Sequence, residues 1–284
     1  MKVEAQTYRS VMADPSGYGP FFQDQDAIQG SLEGVCKAWA TYLQFHRDRT
    51  SILFGKQELP WEMIERAIVS TLSAAIIREF PLSVVLEEFV VPRQKPGLDQ
   101  GSEGNGSKGR CDLWASIPEL KVGARDFSFY LEAKRVRMPK TTANLGHYLN
   151  TDRGLSRLIN DYLKARGEKI RKLSPYRNLK SRVHEHYVIG MMVIPLKHSD
   201  GDPKGAALFN EIKEILDTTF GTRRPVFVKG QPGAESSKRY RRMGRFPTVA
   251  LVLPPDQKQT GMVATLTVFG STSKFLSGTQ NISD

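Results

Sequence analysis

Residues 110–138 read RCDLWASIPELKVGARDFSFYLEAKRVRM. RCDLWAS (110–116) has the composition of a short strand, and DFSFYLEAKRVRM (126–138) that of a longer one, separated by a turn containing proline and glycine. Strand side chains alternate between faces, so Glu132 and Lys134 share one face while Leu131 and Ala133 take the other. Two charges on the inner face of an otherwise apolar strand are expensive to bury unless something compensates them. A metal ion shared with a carboxylate of the neighbouring strand would do so. Hairpin pairing would bring Asp112, twenty residues before Glu132, beside it. Two carboxylates and a lysine around one cation make a phosphoryl-transfer site, and hard oxygen ligands select Mg²⁺ or Mn²⁺.

The acid-x-Lys spacing recurs at Glu119/Lys121, Asp202/Lys204, Glu211/Lys213 and Asp256/Lys258. Glu211/Lys213 falls in a predicted helix, where positions i and i+2 diverge by about 200°. The other three fall in turns flanked by proline or glycine. Only Glu132/Lys134 lies in a long apolar strand with an aspartate in the strand before it.

Working outward, PWEMIERAIVSTLSAAIIREF predicts a helix from Pro60 to a stop at Pro81. SVVLEEFVV (83–91) predicts a strand, and residues 92–109, with five glycines and two prolines, a loop. Downstream, residues 152–167 predict a helix with the apolar stripe Leu155, Leu158, Ile159, Tyr162 and Leu163. HYVIGMMVIPL (186–196) predicts a buried strand. A helix near 204–218 and strands near 247–253 and 261–270 complete the chain. At the other end, residues 1–25 read as irregular. A helix from about Ala27 to Arg47 presents Leu32, Val35, Trp39, Tyr42 and Leu43 on one stripe. The central order is helix, three strands, helix, strand, which implies an α/β fold with a mixed central sheet flanked by helices. The expected organisation is an irregular and helical extension at 1–59, a core at 60–200, and an αβ extension at 201–284 completing the same domain.

RCDLWAS followed by FYLEAKR resembles the PD-(D/E)XK nuclease superfamily, the restriction-endonuclease-like fold, across roughly residues 60–196. In that family the acid of the second strand and the acid-x-Lys of the third bind the metal and hold the attacking water. The resemblance assigns these roles to Asp112 and Glu132 as metal ligands and to Lys134. Many members add a glutamate from the helix before the first strand. Glu65 is the candidate here, because its phase places it between Leu72 and Ile76 within the apolar stripe. Glu87 and Glu88 compete for the role. The family motif often has proline before its aspartate, where this chain has Cys111. The Gln-x-x-x-Tyr motif of some repair-type members is absent from 152–167. The implied activity is Mg²⁺- or Mn²⁺-dependent hydrolysis of DNA, of restriction or phage-defence type, by a homodimer if both strands are cut. A catalytically silent nucleic-acid-binding protein and a ribonuclease are the alternatives.

Charge supports a polyanionic partner. The 284 residues carry 41 Lys+Arg against 30 Asp+Glu, a net +11. Two blocks, 152–182 and 223–245, each carry a net +7, leaving the remainder slightly acidic. Arg110, Arg153, Arg157, Lys164, Lys238, Arg239, Arg241 and Arg242 are the expected nucleic-acid contacts, with Tyr240 placed among cations as a stacking side chain would be. Two cysteines without CxxC spacing fit a reducing cytoplasm. No apolar run approaches the ~18 residues of a membrane helix, and no secretory signal is expected at the N-terminus. GSEGNGSKGR (101–110) fails the GxxxxGK[ST] spacing, and a strand rather than a helix follows it. His184 and His186 lack a third metal ligand nearby, and Cys36 and Cys111 lack an activating base.

Overall fold

A computed structural model describes residues 6–9, 25–54, 59–91, 109–123, 125–150, 186–203, 206–216, 226–228, 241–243, 248–255 and 259–271. The predicted helix at 152–167, the loop at 92–109 except Gly109, the whole basic block at 152–182 and most of that at 223–245 lie outside the described residues.

The chain is a mixed α/β protein. Its nine described strands are β1 (Gln6–Arg9), β2 (Val84–Val91), β3 (Gly109–Val122), β4 (Arg125–Arg135), β5 (His186–Leu196), β6 (Val226–Val228), β7 (Arg241–Met243), β8 (Thr248–Leu253) and β9 (Gly261–Ser271). The helices are α1 (Gln25–Phe54), α2 (Glu65–Glu79), α3 (Thr142–Asn150) and α4 (Ala206–Leu216), with a short 3-10 turn at Pro60–Glu62. Seven strands form one sheet in the order β1-β8-β9-β5-β4-β3-β2, while β6 and β7 pair separately. Within that sheet β4 and β5 are parallel and the other pairs antiparallel. A parallel pair needs a crossover, and the segment carrying α3 supplies it.

Strand β5 is central, and every residue after His186 is buried. Its side chains divide between two cores. Tyr187, Ile189, Met191 and Val193 join Leu113, Ala115, Phe127, Phe129 and Leu131 beneath α1 and α2. Val188, Met192, Ile194 and Leu196 join Leu145 of α3 and Leu208, Ile212 and Leu216 of α4. Helices on both faces explain why this strand is continuously apolar rather than alternating. The Trp39 indole ties α1 to α2 by donating to Thr71 Oγ1 at 3.0 Å.

The structure amends several expectations. The helix expected from Pro60 is interrupted. Trp61 is buried, its indole N–H bonded to Thr260 Oγ1 at 3.1 Å and shared with the Thr260 carbonyl at 3.2 Å. The backbone at Met63 is extended, so α2 starts only at Glu65. Tertiary anchoring overrides propensity there. Strand β3 runs on through Pro118, and its register against β4 slips between Ile117 and Lys121, where proline lacks an N–H to give. The turn itself is short, with Gly123 at φ +62°. Helix α1 reaches Phe54, beyond the expected Arg47. Helix α3 was not anticipated, nor were the short strands β1, β6 and β7. No helix of the described residues is long and apolar enough to cross a membrane.

The two faces of the sheet predict unequal costs of truncation. Leu113→Ala, at a fully buried position, should lower unfolding free energy by about 2–5 kcal/mol in urea titrations. Leu86→Ala, on the half-exposed face of β2, should cost under about 1 kcal/mol.

Candidate active site

The site lies where β3 parts from β4. Their ladder runs from Val122↔Arg125 to Leu113↔Leu131. Beyond it, Cys111, Arg110 and Gly109 pair with Phe89, Val90 and Val91 of β2 instead. In an antiparallel pair alternate residues of a strand turn their N–H groups toward the partner. After Leu131 the next two such groups belong to Ala133 and Arg135, and β3 no longer meets them with carbonyls. Two carboxylates do. Asp112 Oδ2 accepts the Ala133 N–H at 2.7 Å, and Glu65 Oε2 accepts the Arg135 N–H at 2.8 Å. Each is a charge-assisted bond that satisfies a backbone donor and fixes a carboxylate in place.

Lys134 stands between those two amides in sequence, on the face of the strand opposite Ala133. Its Nζ is 3.6 Å from Glu132 Oε1 and 3.8 Å from Glu65 Oε1. Burial alone would push the Lys134 ammonium down, but the fields of Glu65, Glu132 and Asp112 outweigh it and hold the group above the ordinary lysine range. The carboxylates around it thus favour the charged form of Lys134. On the register line set by Leu113↔Leu131, Asp112 falls opposite Glu132 on the same face. Of the four side chains singled out for catalysis, the structure brings Glu65, Glu132 and Lys134 into contact and places Asp112 in the next strand.

The charged face is not the inner face the sequence implied. Leu131 and Ala133 point into the core beneath α1 and α2. Glu132 and Lys134 occupy the opposite face, their side chains 18% and 44% exposed. Among the described residues, the core formed with α3 and α4 takes in residues of β5, β8 and β9 but none of β3 or β4. Water can thus share the cost of these charges.

The other candidates separate. Glu87 accepts a hydrogen bond from Ser70 Oγ of α2 at 2.8 Å. Glu88 adopts φ +46° and pairs with Arg66 Nε at 3.3 Å; the β2–β3 ladder skips it between Glu87↔Leu113 and Phe89↔Cys111. Glu65 reaches the site as the first residue of α2, where a carboxylate also suits the helix dipole. Cys111 faces away, buried, with its thiol donating to the Leu113 carbonyl at 3.2 Å. Cys36 is wholly buried, and burial, reinforced by Glu33, pushes its thiol far above the usual range. His186 meets Trp114 and Tyr130 edge-on, at ring separations of 6.0 and 5.4 Å. His184, Arg153, Arg157, Lys164, Lys238 and Arg239 lie outside the described residues. Of Arg110, Arg241 and Arg242 only the backbone is described.

Sequence reasoning missed the support beneath Glu65. Arg135 Nε donates to the Trp61 carbonyl at 2.8 Å and its Nη2 to the Glu62 carbonyl at 3.2 Å. The Thr260 hydroxyl donates to Glu62 Oε1. Thr260 lies 199 residues from Trp61, so no local pattern could have shown the contact.

Among the described residues no group of three or more His, Cys, Asp or Glu side chains is arranged as a metal cage. Mg²⁺ does not require one. It binds through one or two carboxylates and completes its shell with water and substrate phosphate. The paired oxygen donors of Asp112 and Glu132 fit that cation, and Mn²⁺ with it. No protein-family model, curated protein or solved structure matches the chain.

Because the folded-state pKa of Lys134 is raised, its contribution to stability is complete below about pH 10.5 and is lost as pH rises through the higher folded value. The difference in unfolding free energy between wild type and Lys134→Met should be flat from pH 7 to about pH 10 and change only above that. Denaturant titrations across this range check it; a difference that changes between pH 7 and 9 would contradict the placement of the lysine among these acids.

Proposed function

We propose that the chain is a metal-dependent nuclease of the PD-(D/E)XK type, hydrolysing phosphodiester bonds in DNA as an endonuclease of restriction or phage-defence kind. The observation that carries this reading is the convergence of Glu65, Glu132 and Lys134, with Asp112 opposite, at the parting of β3 and β4. The element order α2-β2-β3-β4-α3-β5 supports the restriction-endonuclease-like fold. The net +11 charge, concentrated in the blocks at 152–182 and 223–245, supports a polyanionic substrate.

Asp112 and Glu132 would hold Mg²⁺ or Mn²⁺. When bound, the ion neutralises phosphate charge and lowers the pKa of coordinated water. The protein's own groups then have separable roles. The Ala133 amide orients Asp112 by holding Oδ2. Lys134 would orient the attacking oxygen or stabilise charge on the phosphorane-like transition state. Glu65 supplies a counter-charge 3.8 Å from the ammonium that helps to localise it. If both strands are cut, a homodimer would supply the two active sites.

Plasmid DNA should be cut in Mg²⁺ or Mn²⁺ and spared in EDTA. Glu132→Ala and Lys134→Ala should each lower the rate by about 10²-fold or more. Asp112→Asn, which keeps an acceptor for the Ala133 amide, should lose activity with less cost in stability than Asp112→Ala. Salt-sensitive binding that survives EDTA, without cleavage in either metal, would replace this reading with that of a nucleic-acid-binding protein. Metal-dependent cutting of RNA alone would make it a ribonuclease.

A further inference from the structure

We infer that Arg135 is a positioning residue for Glu65; its effect on turnover rests on the nuclease reading, whereas the contact itself does not. Three of its groups converge on the segment that delivers this carboxylate. The backbone N–H donates to Glu65 Oε2 at 2.8 Å. The side chain donates from Nε to the Trp61 carbonyl at 2.8 Å and from Nη2 to the Glu62 carbonyl at 3.2 Å. Trp61 and Glu62 end the 3-10 turn, and three residues after Glu62 the chain becomes Glu65, the first residue of α2. The contacts therefore close a ring: from the guanidinium to the turn, through Met63 and Ile64 to Glu65, and back to the Arg135 amide.

The ring matters because local structure does little to set the angle at which Glu65 leaves the chain. Ile64, at the N-cap, offers no side-chain cap and is 67% exposed, and Met63 is extended and 43% exposed. The 3-10 turn, by contrast, is firmly held. Its Trp61 is buried and bonded to Thr260, and its Glu62 accepts from the Thr260 hydroxyl. Arg135 joins this anchored turn to the end of β4. A guanidinium presents several donors in one rigid plane, so a single side chain can hold two successive carbonyls, which an ammonium on a flexible stem does poorly. Glu65 then bridges, with Oε2 on the Arg135 amide and Oε1 3.8 Å from Lys134 Nζ. Arg135 touches no reacting atom in this arrangement. It acts by setting where the counter-charge of Lys134 stands.

Amide hydrogen exchange in the full-length protein, followed by NMR, reads the contact directly. In Arg135→Ala the protection factor at residue 135, corrected for intrinsic rate, should fall at least about tenfold. That at Ala133, whose amide bonds Asp112, should change less than about threefold. Arg135→Lys should fall between wild type and Arg135→Ala. With Mn²⁺, Arg135→Ala should lower kcat about tenfold with KM little changed. Unchanged protection at residue 135, or an equal loss at residues 133 and 135, would overturn the assignment. If Arg135→Ala does not fold, Arg135→Lys decides by the same two amides. A wild-type chain that cuts no nucleic acid removes the nuclease reading and leaves the exchange result to decide the role of Arg135.

Discussion

Beyond the Leu113–Leu131 pair, β3 turns its ladder to β2 alone, and β4 is left with two inward N–H groups and no strand to receive them. An unpaired backbone donor away from water costs about 1–3 kcal/mol, so such a parting survives only if other acceptors arrive. Here both acceptors are carboxylates, Asp112 from the departing strand and Glu65 from the start of α2. One requirement of sheet bookkeeping therefore places two acids within reach of the same strand end. Lys134 lies between the two amides in sequence, on the face opposite the buried Ala133. Its ammonium meets Glu65 and the neighbouring Glu132.

The balance of charge follows from where the second helical layer sits. Strand β5 is buried on both faces because α1 and α2 lie on one side and α3 and α4 on the other. Among the described residues, β4 shares only the first of these cores. Its outer face is thus half-open, which lowers the desolvation cost of Glu132 and Lys134 without removing their mutual attraction. The fields of Glu65, Glu132 and Asp112 raise the lysine's pKa against the effect of partial burial. The described site thus sets one ammonium among three carboxylates, a local excess of negative charge.

The strands around the site were legible because their chemistry is local. Apolar alternation in FSFYLEA and the unbroken HYVIGMMVIPL run each fix a strand without reference to distant residues. The face assignment was not legible, since alternation tells which residues share a face but not which face acquires a second layer. The resemblance asks for a glutamate on the helix before the first strand, and phase on a helix expected from Pro60 points to Glu65. The structure brings it to Lys134 by another route, because the chain breaks at Met63 and Glu65 opens a new helix. Helix α3 was hidden by Gly146 in its interior, although Thr141, which caps it through its hydroxyl and carbonyl, was a readable signal. The pairings of Arg135 with Trp61 and of Trp61 with Thr260 span 74 and 199 residues and leave no trace in any window of sequence.

Those long-range contacts bear on which parts of the chain the site needs. The sheet does not end at β5. Strand β9 pairs along it from Tyr187↔Ser271 to Leu196↔Gly261, and β8 follows. Thr260, immediately before β9, is the residue that holds both the Trp61 indole and the Glu62 carboxylate. The support of Glu65 therefore passes from the C-terminal strands through the 3-10 turn to Arg135, and only then to the carboxylate. Helix, three strands, helix and strand carry Asp112, Glu132 and Lys134, yet the position of Glu65 depends on a residue that lies beyond all of them in sequence. A chain cut before β8 would keep every side chain of the candidate site and lose the anchor that sets one of them.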